Sequence, residues 1–342
     1  MIASFIDLHI NRLEDFWRRR ESATAAELSY SAYGYPVHFA ANDPILLEVA
    51  RISSGRYSRC APIPYADPIR LEFILDRQMP FEPVPKDWPS RLRYIGKDDW
   101  LAVNAEPWVN AFADLRQWTG VAIVSGSLAH QPHMLSRYIG DCFATNMLLR
   151  TGWGQLHASC VVGNERTVLL VAPNNTGKST TAFRLVMNGY RLLTDGMTYV
   201  RTSERGIELL GYPVGEVKLR LDMLEEFPEV KARGEAALVR EDTKMVFNLR
   251  REMPDRTIED SIRPDRIVLC LLERTGDAET TAEPIDRHAA LVGLLPDAAH
   301  LDDMQVLLNN LASIQALLDK ARCYRLKLGS DVKGILKAVE SL

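Results

Sequence analysis

The sequence contains few cysteines, and their spacing suggests neither a metal site nor a disulfide framework. Its five cysteines are scattered, and no two of them have the C-x-x-C spacing. Structural zinc sites and small disulfide-stapled folds both depend on closely spaced cysteines, so neither organises this chain. We therefore expect reduced thiols, most of them buried.

Long apolar runs and blocks of basic residues are absent as well. No run reaches the roughly 18 apolar residues that a transmembrane helix needs. Asp7 and His9 lie where a signal peptide would have its apolar centre. These features predict a cytoplasmic protein without a membrane partner. The net charge is −4 and no basic block stands out, so there is no reason to expect a nucleic-acid partner.

The composition is that of an ordinary globular protein with room for two domains. The chain has 342 residues, of which 46% are hydrophobic and 25% charged. Residues 1–125 combine a helical pattern at 6–20, alternating strand patterns at 27–39 and 69–75, and a capped helix at 43–52. They predict a small N-terminal α+β domain without a recognisable catalytic constellation.

Residues 126–342 predict a second domain of α/β class, with a mixed central sheet flanked by helices. An amphipathic helix over 127–150 leads into it. The segments that follow alternate between strand and helix patterns. Strands are expected at 156–162, 168–171, 191–194, 267–272 and 324–328, and helices at 181–186, 303–321 and from 330 onward.

The most informative stretch is Ala-Pro-Asn-Asn-Thr-Gly-Lys-Ser-Thr at residues 172–180. It follows the pattern G-x-x-x-x-G-K-[ST] of a phosphate-binding loop (Walker A), with Ala172 in place of the first glycine. A buried strand precedes it and a helix follows, which is the arrangement that such a loop requires. The alternative is a polar helix start in which Gly177 serves only the turn. The flanking strand and helix favour the phosphate loop.

This loop predicts a binding site for ATP and Mg²⁺. Backbone N–H groups and the helix dipole favour negative charge at the helix N-terminus, and Lys178 can reach the outer phosphates. The hydroxyl of Ser179 would be a ligand of Mg²⁺. The predicted nucleotide-binding residues are Asn174, Asn175, Thr176, Gly177, Lys178, Ser179 and Thr180.

A second candidate residue, Asp195, follows the predicted strand at 191–194. The carboxyl ends of such strands are where α/β sheets bind ligands. An acidic residue there, shortly after a phosphate loop, is suited to be a magnesium ligand or the base for an attacking hydroxyl. The alternative, an exposed turn aspartate in Asp-Gly, stays open on this feature alone.

Together these segments resemble the catalytic domain of the HPr kinase/phosphorylase family. In that family a histidine precedes the phosphate loop, and the following helix ends in a Gly-His-Arg-Leu-Val-Ala-Asp-Asp motif. Here His157 precedes the loop, and Asn-Gly-Tyr-Arg-Leu-Leu-Thr-Asp-Gly at 188–196 keeps the glycine, the arginine, the first leucine and one aspartate. The resemblance implies a P-loop kinase domain of HPr-kinase type that uses ATP and Mg²⁺.

The resemblance also implies roles for individual residues. His157 would contact the transferred phosphoryl group, and Asp195 would polarise or deprotonate the acceptor hydroxyl. Glu216, in Glu-Val-Lys, resembles a family glutamate that helps to hold Mg²⁺, so the implied metal set is Ser179, Asp195 and Glu216. A surface strand of alternating charge is the open alternative for Glu216. Lys244 would correspond to a basic residue near the acceptor.

Two departures from the family narrow the expected activity. Gly196 replaces the second aspartate of the family motif, which argues against the reverse, phosphorylase reaction. The N-terminal third does not resemble the regulatory domain of an HPr kinase proper. The layout is closer to HPr-kinase-like enzymes of peptide natural products, including kinases of lasso-peptide precursors. That implies a serine or threonine hydroxyl of a peptide or small protein as acceptor.

Two other functions stay open at this point: a kinase of a free hydroxyl metabolite, and a nucleotide-binding regulator without turnover. Family relatives often form rings, so a homo-oligomer is also open, because no heptad seam or tail decides the question. His288 and His300 are expected to be surface residues outside the site.

Overall fold

A computed structural model describes residues 26–239, 242–298 and 303–342. The predicted helix at 6–20 and His300 lie outside these ranges. The architecture is mixed α/β, and the described residues form four β-sheets. No helix in this part of the chain is both long and apolar enough to cross a membrane.

The first sheet has seven strands and confirms the predicted strands at 27–39 and 69–75. Its strand order is β1-β2-β3-β7-β6-β5-β4. The pairs β2–β3 and β3–β7 are parallel, and the other neighbours are antiparallel. The strands are β1 (Ala26–Ala32), β2 (Tyr35–Ala41), β3 (Ile69–Leu75), β4 (Arg93–Lys97), β5 (Trp100–Ala105), β6 (Val109–Asp114) and β7 (Thr119–Val124).

Helices from the same part of the chain pack against this sheet. Asp43 begins the predicted helix at 43–52, because its carboxylate accepts the N–H of Ile45. The predicted helix over 127–150 is present, with a break at His130–Gln131 and a π-helical turn, Ser136–Gly140. The helices are α1 (Leu47–Ser54), α2 (Trp88–Arg91), α3 (Gly126–Ala129), α4 (Pro132–Leu135) and α5 (Asp141–Leu149).

The rest of the described chain alternates strands and helices. The first group is β8 (Gly154–Leu156), β9 (Ala158–Gly163), β10 (Arg166–Val171), α6 (Lys178–Met187), β11 (Arg191–Thr194), β12 (Met197–Ser203), β13 (Gly206–Tyr212) and β14 (Glu216–Arg220). The second group is α7 (Pro228–Arg233), β15 (Glu235–Val239), β16 (Asp242–Asn248), α8 (Leu249–Glu252), β17 (Ile267–Arg274), β18 (Thr281–Pro284), α9 (Arg287–Ala298), α10 (Met304–Lys320), β19 (Ala321–Leu328) and α11 (Val332–Glu340).

A six-stranded mixed sheet of order β11-β9-β10-β17-β19-β18 lies at the centre of this part. Its strands β10, β17 and β19 are parallel neighbours. One face packs against α6 and α11 and the other against α9 and α10. Because both faces are covered, the apolar run from Val168 to Val171 is buried throughout, as expected for a central parallel strand.

The strand directions bring the candidate residues to one edge of this sheet. β9 is antiparallel to both β10 and β11, so β10 and β11 run in the same direction. The carboxyl ends of β10 and β11 and the beginning of β9 therefore share an edge. His157, the phosphate loop and Asp195 occupy these three positions.

A buried polar cluster joins the first part of the chain to the second. Asp141 is 2% exposed and accepts hydrogen bonds from the hydroxyls of Tyr57 and Tyr212, each at 2.5 Å. The guanidinium of Arg56 lies 3.1 Å from the same carboxylate. A buried carboxylate needs such partners, because desolvation strongly disfavours an unpaired charge. The boundary near residue 125 stays a prediction.

Candidate functional site

The loop between β10 and α6 has the local geometry that a phosphate loop needs. Gly177, immediately before the helix, has a φ of +116°, a conformation that side chains other than glycine rarely adopt. Asn175 also lies in the left-handed region, at φ +64°. Ala172 is buried and has no positive φ, so alanine stands in place of glycine there without backbone strain.

The first turn of α6 presents backbone donors at this edge of the sheet. The N–H of Thr181 bonds to the carbonyl of Gly177 at 2.8 Å, which makes it the first donor used within the helix. The N–H groups of the preceding helical residues lack intrahelical acceptors, as at every helix start. Combined with the helix dipole, they form a site of positive potential for anions.

Lys178 extends from the start of α6 across the edge of the sheet. It is only 8% exposed, and its Nζ donates a hydrogen bond to the backbone carbonyl of His157 at 3.3 Å. We predict Lys178, His157 and Asp195 as the catalytic residues, and this hydrogen bond joins the first two. The role of the His157 imidazole stays a prediction.

The predicted strand at 156–162 is two strands in the structure. β8 ends at Leu156 and belongs to a three-stranded sheet with β12 and β13, whereas β9 begins at Ala158 in the central sheet. His157 is the half-buried residue between them. The prediction of a single strand was wrong because Leu156 and the mostly apolar β9 follow one another closely in sequence. An apolar pattern does not reveal that the chain passes from one sheet to another.

Asp195 follows β11 directly, as predicted, and is buried with an exposed fraction of 8%. Its Oδ1 accepts the hydroxyl of Ser159 at 2.6 Å, and its Oδ2 accepts the backbone N–H of Lys218 at 3.3 Å. The side chain of Ser179 lies near enough to this carboxylate to lower its pKa. Asp195 is therefore an oriented group beside the loop, and the alternative of an exposed turn aspartate is wrong.

Burial has the largest effect on Asp195 and raises its pKa above the ordinary value. Hydrogen bonds from Ser159 and Ser179 act in the opposite direction, and so does the nearby charge of Lys178. A buried carboxylate with a raised pKa is suited to accept a proton.

Glu216 lies at the start of β14, with its carboxylate engaged by two cations. The Lys218 Nζ is 2.5 Å from Oε1, and an Arg56 guanidinium nitrogen is 3.9 Å from Oε2. Burial raises the pKa of Glu216, but the charges of Lys218 and Arg56 outweigh it and lower the pKa to about 2. Glu216 thus connects the site to the buried cluster around Asp141.

The predicted magnesium ligands are only partly assembled. Ser179 and Asp195 are neighbours and offer hydroxyl and carboxylate oxygens, the donor type that Mg²⁺ prefers. Glu216 belongs to the neighbouring ion-pair cluster. Within the described ranges, no group of three His, Cys, Asp or Glu side chains could hold a metal ion. Because Mg²⁺ in nucleotide sites takes few protein ligands and several phosphate oxygens, a pair of oxygen donors fits it.

The rest of the loop and its neighbours complete the site. Asn174 and Asn175 are exposed, and the Asn175 side chain donates to Asp242 at 3.4 Å. Arg274, at the end of β17, donates through its Nε to the carbonyl of Thr176 at 3.1 Å. Lys244 is half-buried on β16, and its backbone lies opposite that of Arg220 on the antiparallel strand β14.

The steric surroundings of Gly196 explain the departure from the Asp-Asp motif. A Cβ at this position would lie 2.6 Å from the carbonyl oxygen of Tyr212. Real Cβ atoms do not approach backbone oxygen so closely, and backbone cannot yield as a side chain does. The structure therefore leaves no space for a second aspartate after Asp195.

Three residues beside the site were missed in the sequence. Ser159 is an ordinary residue within an apolar strand, and Arg56 and Arg274 are distant from the loop along the chain. Only Arg274 could have been predicted, because it lies at the carboxyl end of a buried strand, and ligands bind at the carboxyl ends of strands in α/β sheets. The contacts of Ser159 and Arg56 follow from strand pairing and packing alone.

No family model matches the chain, and no curated protein matches it. Among solved structures, the chain is similar to the HPr(Ser) kinase/phosphatase from Coxiella burnetii, with 10% sequence identity and a TM-score of 0.28. The alignment covers 55% of this chain and 94% of that chain. An overlap of this size assigns neither an activity nor a site residue to the protein.

Proposed function

We propose that this chain is an ATP-dependent phosphotransferase that moves the γ-phosphoryl group of ATP to a serine or threonine hydroxyl of a peptide or small protein. The observation that carries the proposal is the position of Asp195 beside the loop. Its buried carboxylate accepts a hydrogen bond from Ser159 at the sheet edge where the loop presents Lys178, whose charge acts on it.

Different residues of the chain have different roles in the proposed phosphoryl transfer. Backbone N–H groups of the loop and the ammonium of Lys178 bind the phosphates and stabilise the charge that spreads over the equatorial oxygens in the transition state. Asp195 accepts the proton of the acceptor hydroxyl, a role that its raised pKa supports. Mg²⁺ beside Ser179 and Asp195 would supply further neutralisation of the phosphate oxygens.

An exposed strand edge supports a peptide as acceptor rather than a free metabolite. β4 is the last strand of the seven-stranded sheet, and all five of its residues are exposed. Tyr94 and Ile95 on this strand are 44% and 49% exposed. An extended peptide can add to such an edge through main-chain hydrogen bonds, with exposed side chains supplying specificity.

The test separates binding from transfer. Wild-type protein is titrated with MgATP by calorimetry and then incubated with MgATP and a library of serine-containing peptides, and mass spectrometry detects the gain of one phosphate. A matched library with alanine in place of serine is the control. Lys178→Ala is expected to abolish binding and transfer, whereas Asp195→Asn retains MgATP binding and loses transfer.

Other outcomes would contradict parts of this proposal. Absence of MgATP binding by the wild-type protein would exclude a kinase. Binding without transfer to any peptide, together with phosphorylation of a hydroxyl metabolite, would identify the acceptor as a small molecule. Persistent transfer by Asp195→Asn would exclude this residue as the base.

A further inference from the structure

A cleft of about 290 Å³ lies on the other side of the phosphate loop from Asp195. The loop and α6 form one wall, and the segments after β17 and β19 form the other. Neither Asp195 nor His157 lines it. The polar residues of the walls include Thr176, Thr181, Arg274, Asp277 and Ser330.

Arg274 lies between this cleft and the loop. Its Nε donates to the carbonyl of Thr176, and the guanidinium is close to Gly177, with Nε 3.9 Å from where a Cβ would be. Among the residues that the structure describes, no carboxylate pairs with Arg274. Its terminal nitrogens are therefore available to an anion, and a guanidinium can contact two phosphate oxygens at once.

Thr181 provides a second, independent indication of a ligand. Its side chain is 1% exposed and lines the cleft, and its hydroxyl has no hydrogen-bond partner among the described residues. Buried hydroxyl groups normally have a partner, because leaving one unsatisfied costs free energy. A polar group of a ligand in the cleft would satisfy it.

The remaining residues that line the cleft include both apolar and polar side chains. Met223, Leu328 and Ile335 offer apolar surface, and the carboxylate of Asp277 and hydroxyl of Ser330 lie on the same cleft. A nucleoside likewise has an apolar and a polar part, because its flat base favours apolar contact and its ribose hydroxyls favour hydrogen bonds. Small-molecule sites commonly combine apolar walls with a few polar groups in this way.

We propose that this cleft binds the nucleoside part of a nucleoside triphosphate, and that Arg274 contacts its phosphates while holding the loop through Thr176. The inference rests on the proposed function. The triphosphate then crosses the loop, with the nucleoside on the Arg274 side and the terminal phosphate on the Lys178 side. Arg274 is thus a nucleotide-binding residue that no sequence motif identifies.

The test compares MgATP with magnesium tripolyphosphate, which has the phosphates without the nucleoside. Gly276 lines the cleft and has open space where a Cβ would lie, so Gly276→Tyr fills the cleft without a clash at the Cβ. This variant is expected to weaken MgATP binding roughly tenfold or more and to leave tripolyphosphate binding unchanged. Thr202→Tyr, at an exposed position of β12, is the control.

A second pair of variants tests the arginine. Arg274→Ala is expected to weaken binding of both ligands by about tenfold, because a charge-assisted contact to phosphate is lost. Arg274→Lys restores part of the affinity. Arg322→Ala, an exposed arginine on β19 away from the cleft, leaves both affinities unchanged.

Equal affinity of wild-type protein for both ligands, or MgATP binding unaffected by Gly276→Tyr, would overturn the nucleoside cleft while leaving the proposed kinase intact. Tripolyphosphate binding unaffected by Arg274→Ala would overturn the phosphate contact. Absence of binding of either ligand to the wild-type protein would refute the proposed function and this inference together.

Discussion

The hydroxyl of Ser159 donates a 2.6 Å hydrogen bond to the carboxylate of Asp195, although 36 positions separate the two residues in the chain. The contact arises because Ser159, on β9, and Asp195, after β11, belong to neighbouring antiparallel strands. Both side chains are buried, so the hydrogen bond forms in a medium where charge is costly and partners matter. It favours the ionised carboxylate against the effect of burial.

Ser159→Ala is expected to shift the pH dependence of phosphate transfer. Removing a hydrogen bond to the ionised carboxylate raises the pKa of Asp195 further, so the acidic limb of the kcat/KM profile moves to higher pH. Ser136→Ala, which removes a buried serine hydroxyl bonded to Ser53, is the control. An unchanged acidic limb would show that the base is another group.

Asp195→Asn is expected to stabilise the folded protein at neutral pH while abolishing transfer. Burial raises the pKa of Asp195 above its ordinary value, so the folded state binds the proton more tightly than the unfolded chain. The stability from this protonation is complete below the unfolded pKa and is lost as pH rises through the folded pKa. At pH 7 the charge opposes folding, and an amide removes that cost.

The measurement for this variant is thermal unfolding at pH 7 and near pH 4. The variant is expected to have a higher Tm than the wild-type protein at pH 7. The gain should shrink toward acidic pH, where the wild-type carboxylate is protonated. A less stable variant at pH 7 would mean that the hydrogen bonds of the carboxylate outweigh its desolvation.

Glu216 should make the protein sensitive to acid over a defined range. Its folded pKa of about 2 lies below the unfolded value of 4.5, so its contribution to stability is present above 4.5 and is lost as pH falls toward 2. Glu216→Gln should flatten the free energy of unfolding against pH over this interval. The exposed Glu204→Gln variant is the control, and an equal flattening of its pH dependence would contradict this role of Glu216.

Gly196→Ala is expected to destabilise the fold by about 1–3 kcal/mol, the usual cost of overpacking a site that cannot relax. The added Cβ would meet the Tyr212 carbonyl oxygen at 2.6 Å. Gly276→Ala, with open space around the new Cβ, should cost much less. Urea unfolding measures both. Equal stability of the two variants would show that the backbone around Gly196 yields.

The core of the site was predictable because it is local in sequence. An apolar strand, a turn with Gly177 and an amphipathic helix follow one another within residues 168–186, and each has its own pattern. The end of the helix before Asn188 and the position of Asp195 after β11 were predicted for the same reason. The strand at 69–75 was confirmed because its alternation reflects one buried face.

What lay beyond local patterns was not predictable. The passage of the chain between two sheets at His157, the hydrogen bond from Ser159 and the position of Arg274 over the loop all depend on strand order and register. No residue type or spacing encodes them, because each joins groups that are distant along the chain. The ion pair between Glu216 and Arg56 was likewise not predictable, because it depends on the packing of two distant segments.

The sequence by itself therefore determined the turn between β10 and α6, the helix that follows it and the acidic residue at the next strand end, since these depend on contacts among near neighbours and on backbone preferences. Only the tertiary structure decided which side chains surround Asp195, why Gly196 has no space for a carboxylate, and where a cleft opens beside Arg274. The physical reason is that burial and pKa depend on groups that sheet assembly brings together from distant parts of the chain.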